Sequence, residues 1–224
     1  MVKTKKTTLQ PSKNITWINV LVLLALAVLI LYAVAPWDAW RNVDPNYHGW
    51  NLYSYFTIQS NLIAAIAYII AAIALMGQRA PGRWFSYLRG GAVLYMLVTG
   101  IVYVLLLQNN PEVHRVLGFS WKNFILHQAG PIFIITWWLL WPSRFQISAR
   151  AAWWWLIFPA VWLIYTFVRA SLTGWYPYPF LDPNLAGGTI GVTLYVSGIA
   201  AGFILLSQFV AWMSRARAKN VAIS

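Results

Sequence analysis

The chain contains no cysteine, which excludes disulfides, thiolate nucleophiles and Cys-ligated metal centres. Carboxylates are almost as scarce: Asp38, Asp44, Glu112 and Asp182 are the only four acids in 224 residues. They form no cluster suited to a divalent cation. No apolar segment carries the series of carboxylates that a proton or ion pathway uses. The three histidines, His48, His114 and His127, show no ligand spacing, so neither a metal site nor a bis-histidine haem is expected. No cofactor is expected. Charged residues make up only 9% of the chain, against about a quarter in a soluble domain.

What the chain has instead is apolar length. It is 60% hydrophobic with 15 Trp, and six segments, roughly 15–36, 52–76, 86–107, 122–142, 149–170 and 187–213, are long and apolar enough to span a bilayer. The expected fold is all-α: a polytopic six-helix domain over 15–213, with short basic tails at 1–14 and 214–224. Segment one resembles a signal peptide, with lysines ahead of an apolar run and Ala33-Val34-Ala35 as a cleavage-like site, but its length reads as a retained helix.

The net charge of +12 is a matter of distribution. Lys3, Lys5, Lys6, Lys13, Arg79, Arg83, Arg89, Arg144, Arg150, Arg215, Arg217 and Lys219 lie beside one set of span ends; Arg41, Arg115, Lys122 and Arg169 lie beside the other. This asymmetry predicts cytoplasmic termini and attraction to anionic lipid headgroups. Nucleic acid is not implied.

Segment two, Asn51–Ala74, carries polar residues in its first half. At 3.6 residues per turn Ser54, Thr57 and Asn61 share a face with Ala64, Ala65 and Tyr68. The plain account is a packing seam between helices. Segment three reads as scaffold, Pro159 as a kink in segment five, and glycine-rich segment six as closely packed. An ordered aromatic loop is expected over 36–51, and an exposed Glu112–Arg115 pair in the loop 108–121.

His127 is the only histidine within a span, at about the depth of Thr57 on a parallel helix. An ionisable group there is a functional candidate. A neutral imidazole beside a hydroxyl is the minimum arrangement for activating a Thr nucleophile; a structural hydrogen bond between helices explains the same pair equally well. In the catalytic reading Asn123, one turn above His127, orients the ring. Asn61 offers its amide to an oxyanion, and Ser60 stands nearby as a further polar candidate. Arg169 is expected to snorkel to the interface or pair with Asp182; the alternative is a guanidinium that binds a lipid carboxylate or phosphate. A transporter is disfavoured, because Ile63–Ala74 and Ile132–Trp141 offer no polar path.

Three motifs, YFTIQSNLIAA with Thr57, NFILHQAGPIFI with His127, and TGWYPYPFLDP, together resemble the androgen-induced-gene family of six-span membrane proteins, and most of all its bacterial branch. The animal members are threonine hydrolases that cleave fatty acid esters of hydroxy fatty acids. The resemblance implies Thr57 as nucleophile, His127 as base, and Trp175, Tyr176, Pro177, Phe180 and Asp182 as a cap. Tyr178-Pro179 is extra relative to that motif. The implied partner is a fatty acyl ester. The competing function is a non-catalytic lipid-binding or regulatory scaffold.

Overall fold

The computed structural model describes residues 13–35, 51–78, 81–111, 120–141, 143 and 145–223. Six helices are long and apolar enough to cross a membrane. They are α1 (Lys13–Val34), α2 (Phe56–Met76), α3 (Arg83–Leu107), α4 (Trp121–Leu140), α5 (Ala149–Thr173) and α6 (Gly188–Ile223). Among the described residues there is no strand. In hydrocarbon a helix satisfies its own backbone, which is why apolar runs of this length take that form. The expected loop over 36–51 and the Glu112–Arg115 pair fall outside the described residues, apart from Asn51.

α1 lies along α2, and α2 along α3. The α2 seam is built from small side chains: Ala64, Ala65, Ala67 and Ala72 are fully buried, and so is Tyr68. Small residues let helices approach closely where no hydrophobic force separates lipid from protein. α3 is the centre of the bundle and touches α2, α4 and α6. It is more than scaffold, since its residues line cavities at both ends of the molecule.

α5 docks on α3 through Trp155 and through Phe158, whose ring centroid lies 4.8 Å from that of Tyr95. Trp155 lies over Gly90 and Gly91, where an added Cβ would come within 2.5 Å of Trp155 Cζ2 and 3.0 Å of its Cδ1. The ring is held by Trp155 Nε1–H donating to the Tyr87 carbonyl at 3.0 Å. Pro159 cannot donate to the Trp155 carbonyl four residues back, and the Tyr95 hydroxyl donates to it instead, at 2.9 Å. A 3₁₀ turn at Trp153–Leu156 precedes the proline.

Two expectations for α6 are corrected. It continues helically to Ile223 rather than giving way to a tail at 214. Arg215 Nη1 donates to the Ile147 carbonyl at 2.9 Å and Arg217 Nη1 to the Trp138 carbonyl at 2.7 Å, which ties the basic end of the helix to neighbouring chain. Gly198 and Gly202 do not mark close packing, for a Cβ at either would meet nothing within 4 Å; Gly191 alone of its glycines lies tight, against the Ala186 carbonyl. Composition made α6 look like a core helix; its position at the rim leaves Ile190, Leu194 and Leu205 largely exposed.

Candidate active site

α4 is not a uniform helix. Ser120 caps its start by accepting from the Asn123 N–H at 3.1 Å. A widened π-helical turn occupies Ile125–Ala129. Pro131 explains it: the ring removes the hydrogen bond to the His127 carbonyl and crowds that oxygen, and an enlarged turn relieves both. Gly130 follows, where an added Cβ would lie 2.8 Å from the Ile125 carbonyl oxygen. His127 stands in the middle of this turn.

The turn brings His127 Nε2 to 3.2 Å from Thr57 Oγ1. His127 Nδ1 lies 3.1 Å from the backbone carbonyl of Asn123. A carbonyl can only accept, so Nδ1 carries the proton and Nε2 presents a lone pair to the threonine hydroxyl. Tyr103 stacks on the imidazole, with ring centroids 4.4 Å apart and planes 26° from parallel. Both residues are buried, Thr57 with 5% and His127 with 9% of its surface exposed.

Asn123 meets the imidazole through its main-chain carbonyl, and its side chain is engaged elsewhere. Asn123 Nδ2 donates to the Tyr103 hydroxyl at 2.9 Å and so steadies the ring stacked on His127. Asn61 is placed differently from its expected role. Its Nδ2 donates to the carbonyls of Thr57 at 2.9 Å and Leu126 at 3.0 Å, so both amide hydrogens are engaged. The free atom is Oδ1, a buried acceptor, which would repel an oxyanion. Asn61 ties α2 to α4 beside the dyad. Ser60 donates to the Phe56 carbonyl at 2.8 Å and is fully buried, so its hydroxyl is taken up within its own helix.

Arg169 neither snorkels nor pairs with Asp182. Its Nη1 donates to Ser54 Oγ at 2.5 Å, its Nη2 donates to Asn51 Oδ1, and its guanidinium lies 4.7 Å from the Trp175 ring centroid. Trp162, Tyr165 and Arg169 share one face of α5 at helical spacing. Trp162 Nε1 donates to the Ser54 carbonyl at 2.9 Å, and the Tyr165 hydroxyl is 2.8 Å from Ser54 Oγ. All three grip Ser54, one turn before Thr57. Asp182 Oδ1 accepts from the backbone N–H of Asn184 at 2.9 Å, which makes it a turn former.

Of the 174–187 loop, one side chain reaches the dyad, and it comes from the pair that departs from the motif. The Tyr178 hydroxyl lies 3.2 Å from Thr57 Oγ1 and accepts from the Thr57 N–H at 3.1 Å. That N–H lies in the first turn of α2, where backbone donors lack helical partners. Burial pushes the Tyr178 phenol above its usual range, so it stays protonated and donates to Thr57 Oγ1 while that oxygen donates to His127. Tyr178 stacks on Phe180 at 5.1 Å, and Trp175 meets Tyr55 edge-on at 5.6 Å. Tyr176 packs half-buried against the core. Sequence reasoning passed over Tyr178; the inserted Tyr-Pro was the available signal.

Beside Thr57 lies a cavity of about 250 Å³, bounded by α3, α5 and α6 and closed by Tyr178 and Phe180. Its lining is nearly all apolar, with Val102, Leu163, Ile199 and Phe203 as walls. Thr99 of α3 also lines it; its Oγ1 is buried and makes no hydrogen bond. The polar groups in the outer half of segment two bond inward, to α4, α5 and their own helix, so the space beside Thr57 is suited to an acyl chain.

Comparisons with protein-family models, curated proteins and solved structures find no match to this chain. Among the described residues no group of His, Cys, Asp and Glu could hold a metal ion.

Proposed function

We propose that this protein is an intramembrane lipid-ester hydrolase of the androgen-induced-gene kind, with Thr57 as nucleophile and His127 as base. The observation that carries the reading is the 3.2 Å approach of Thr57 Oγ1 to His127 Nε2, with Nδ1 fixed on a carbonyl. That order, nucleophile to base to orienting acceptor, is the arrangement that activates a hydroxyl.

In the proposed reaction His127 Nε2 takes the Thr57 proton as Oγ1 attacks the acyl carbonyl. The Tyr178 O–H, which points at Oγ1 beforehand, transfers its hydrogen bond to the developing oxyanion. Collapse breaks the ester bond, and His127 protonates the departing alkoxide. Water, deprotonated by His127, then attacks the acyl-threonine; the fatty acid leaves and Thr57 regains its proton. The acyl chain lies in the apolar cavity, and Thr99 adds a hydroxyl there for the ester oxygens. The substrate class is a fatty acyl ester such as a fatty acid ester of a hydroxy fatty acid.

The protein is placed as a multi-pass component of a bacterial plasma membrane. Its basic end faces the cytoplasm and the Thr57 end the outside, on the charge asymmetry of the chain.

Treating the purified protein in detergent with a fluorophosphonate and mapping adducts by mass spectrometry tests the proposal. The expected result is modification of Thr57 that disappears in His127→Ala. A folded wild-type protein that takes no label would instead favour a lipid-binding scaffold in which the pair only joins helices. Tyr178→Phe keeps the ring stacking and removes one donor. It is expected to lower kcat by about 10²-fold with KM little changed, whereas a purely packing role for Tyr178 would leave kcat near wild type.

A further inference from the structure

At the opposite end of the bundle lies a second cavity, of about 550 Å³, between α1, α2, α3 and α4. Arg89 lines it, one of two arginines in the first two turns of α3, and only 6% of its surface is exposed. Its Nε is buried without a hydrogen-bond partner. The guanidinium face rests 5.1 Å from the Trp137 ring centroid, which leaves its N–H edge directed elsewhere.

Among the described residues no carboxylate compensates it: the acid they include, Asp182, lies in the 174–187 loop beside the Thr57 end of the bundle. Its charged neighbour among the described residues has the same sign: Arg217 of α6 interacts electrostatically with Arg89, and the two border one small gap together with Ser86 and Ser143. Arg217 is anchored by its bond to the Trp138 carbonyl and by the Trp138 ring at 5.0 Å. Ser86 Oγ and Ser143 Oγ are 2.6 Å apart. A buried unpaired guanidinium is among the costliest features in a fold, and a second cation beside it adds to the cost. A bound anion resolves both. The remaining walls are mostly apolar, with Leu23 and Leu26 from α1 and Phe133 from α4, and Asn19 and Thr136 as the polar exceptions. The site therefore joins an anion-binding head to a hydrocarbon-binding body.

We propose that this cavity binds one anionic phospholipid. Its phosphate sits on Arg89 and Arg217, with the one hydroxyl hydrogen that the Ser86–Ser143 bond leaves over as a further donor, and its acyl chain lies against α1 and α4. Guanidinium groups suit phosphate because two N–H bonds meet two oxygens. The site is separate from Thr57 and does not depend on catalysis there.

The test is native mass spectrometry of the full chain, released from detergent with dioleoylphosphatidylglycerol or dioleoylphosphatidylcholine. One retained phosphatidylglycerol is expected, bound about tenfold more tightly than phosphatidylcholine, whose phosphate is the same but whose choline cation would stand beside two guanidinium groups. Arg89→Gln should abolish the preference, Arg89→Lys should keep part of it through charge alone, and Thr57→Ala should leave it intact. Should Arg89→Gln fail to fold, Arg217→Gln, across the small gap from Arg89, is expected to weaken the preference several-fold. Equal retention of both lipids overturns the proposal, as does an unchanged preference in Arg89→Gln and Arg217→Gln. If millimolar inorganic phosphate displaces the lipid completely, the site is one for free phosphate and the lipid assignment is overturned.

Discussion

Replacing His127 by alanine is expected to lower kcat/KM for a long-chain ester by on the order of 10³–10⁴-fold, and Thr57→Ala by at least as much. The base and the nucleophile act on one proton, so the losses should not add. The double variant is expected to be no slower than the worse single variant, the signature of groups that work as a unit. Thr57→Ser keeps the oxygen and loses a methyl from a buried site, so it should retain measurable turnover. Stability separates chemistry from architecture. Thr57→Ala leaves His127 Nε2 without its partner in a buried site, which costs about 1–3 kcal/mol. Were the pair only a tie between α2 and α4, both variants would lose thermal stability and no rate would depend on them. Ester turnover and unfolding midpoints, measured on the same four proteins, decide between the two.

Gly90→Ala is expected to destabilise the fold although alanine is the better helix former. Helix propensity favours the change by about 1 kcal/mol. Against it, the new Cβ would sit 2.5 Å from Trp155 Cζ2 and 2.8 Å from Cη2. Trp155 cannot swing away without giving up its bond to the Tyr87 carbonyl. Its own carbonyl is also held by Tyr95. Overpacking of a fixed ring costs about 1–3 kcal/mol, occasionally more, so packing wins. The midpoint should fall by roughly 2–8 °C, and Trp155→Leu introduced alongside should recover part of the loss. A midpoint at or above wild type in Gly90→Ala would mean that α5 does not dock on the glycine shelf. Because α5 also carries Trp162, Tyr165 and Arg169, its docking bears on how firmly Ser54, and with it the first turn of α2, is held.

Much of the fold was legible because the bilayer imposes it. An apolar run of about twenty residues has few alternatives to a helix, and all six helices lie close to the segments expected. Boundaries were less secure where polar residues continue a helix beyond the apolar run, as at Arg215 and Arg217 on α6. Thr57 and His127 stood out as polar groups in apolar surroundings. The groups that serve them did not. Nothing in the residue type reveals that a main-chain carbonyl sets the His127 tautomer. Nor does it reveal that Asn61 spends its amide hydrogens on the Thr57 and Leu126 carbonyls or that a cap tyrosine outside the motif reaches Oγ1.

By itself, then, the amino-acid sequence determined an all-helical chain with six membrane-capable spans, no cysteine chemistry, and a short choice of intramembrane polar residues. Tertiary structure alone decided which of them meet. The periodicity of one helix reports its own faces, whereas contact between helices depends on rotation and separation. Those are set here by an alanine seam on α2, a glycine shelf on α3 and a proline-induced wide turn on α4. That packing places His127 against Thr57 at one end of the bundle, and at the other it leaves Arg89 buried with no acid to meet it among the described residues.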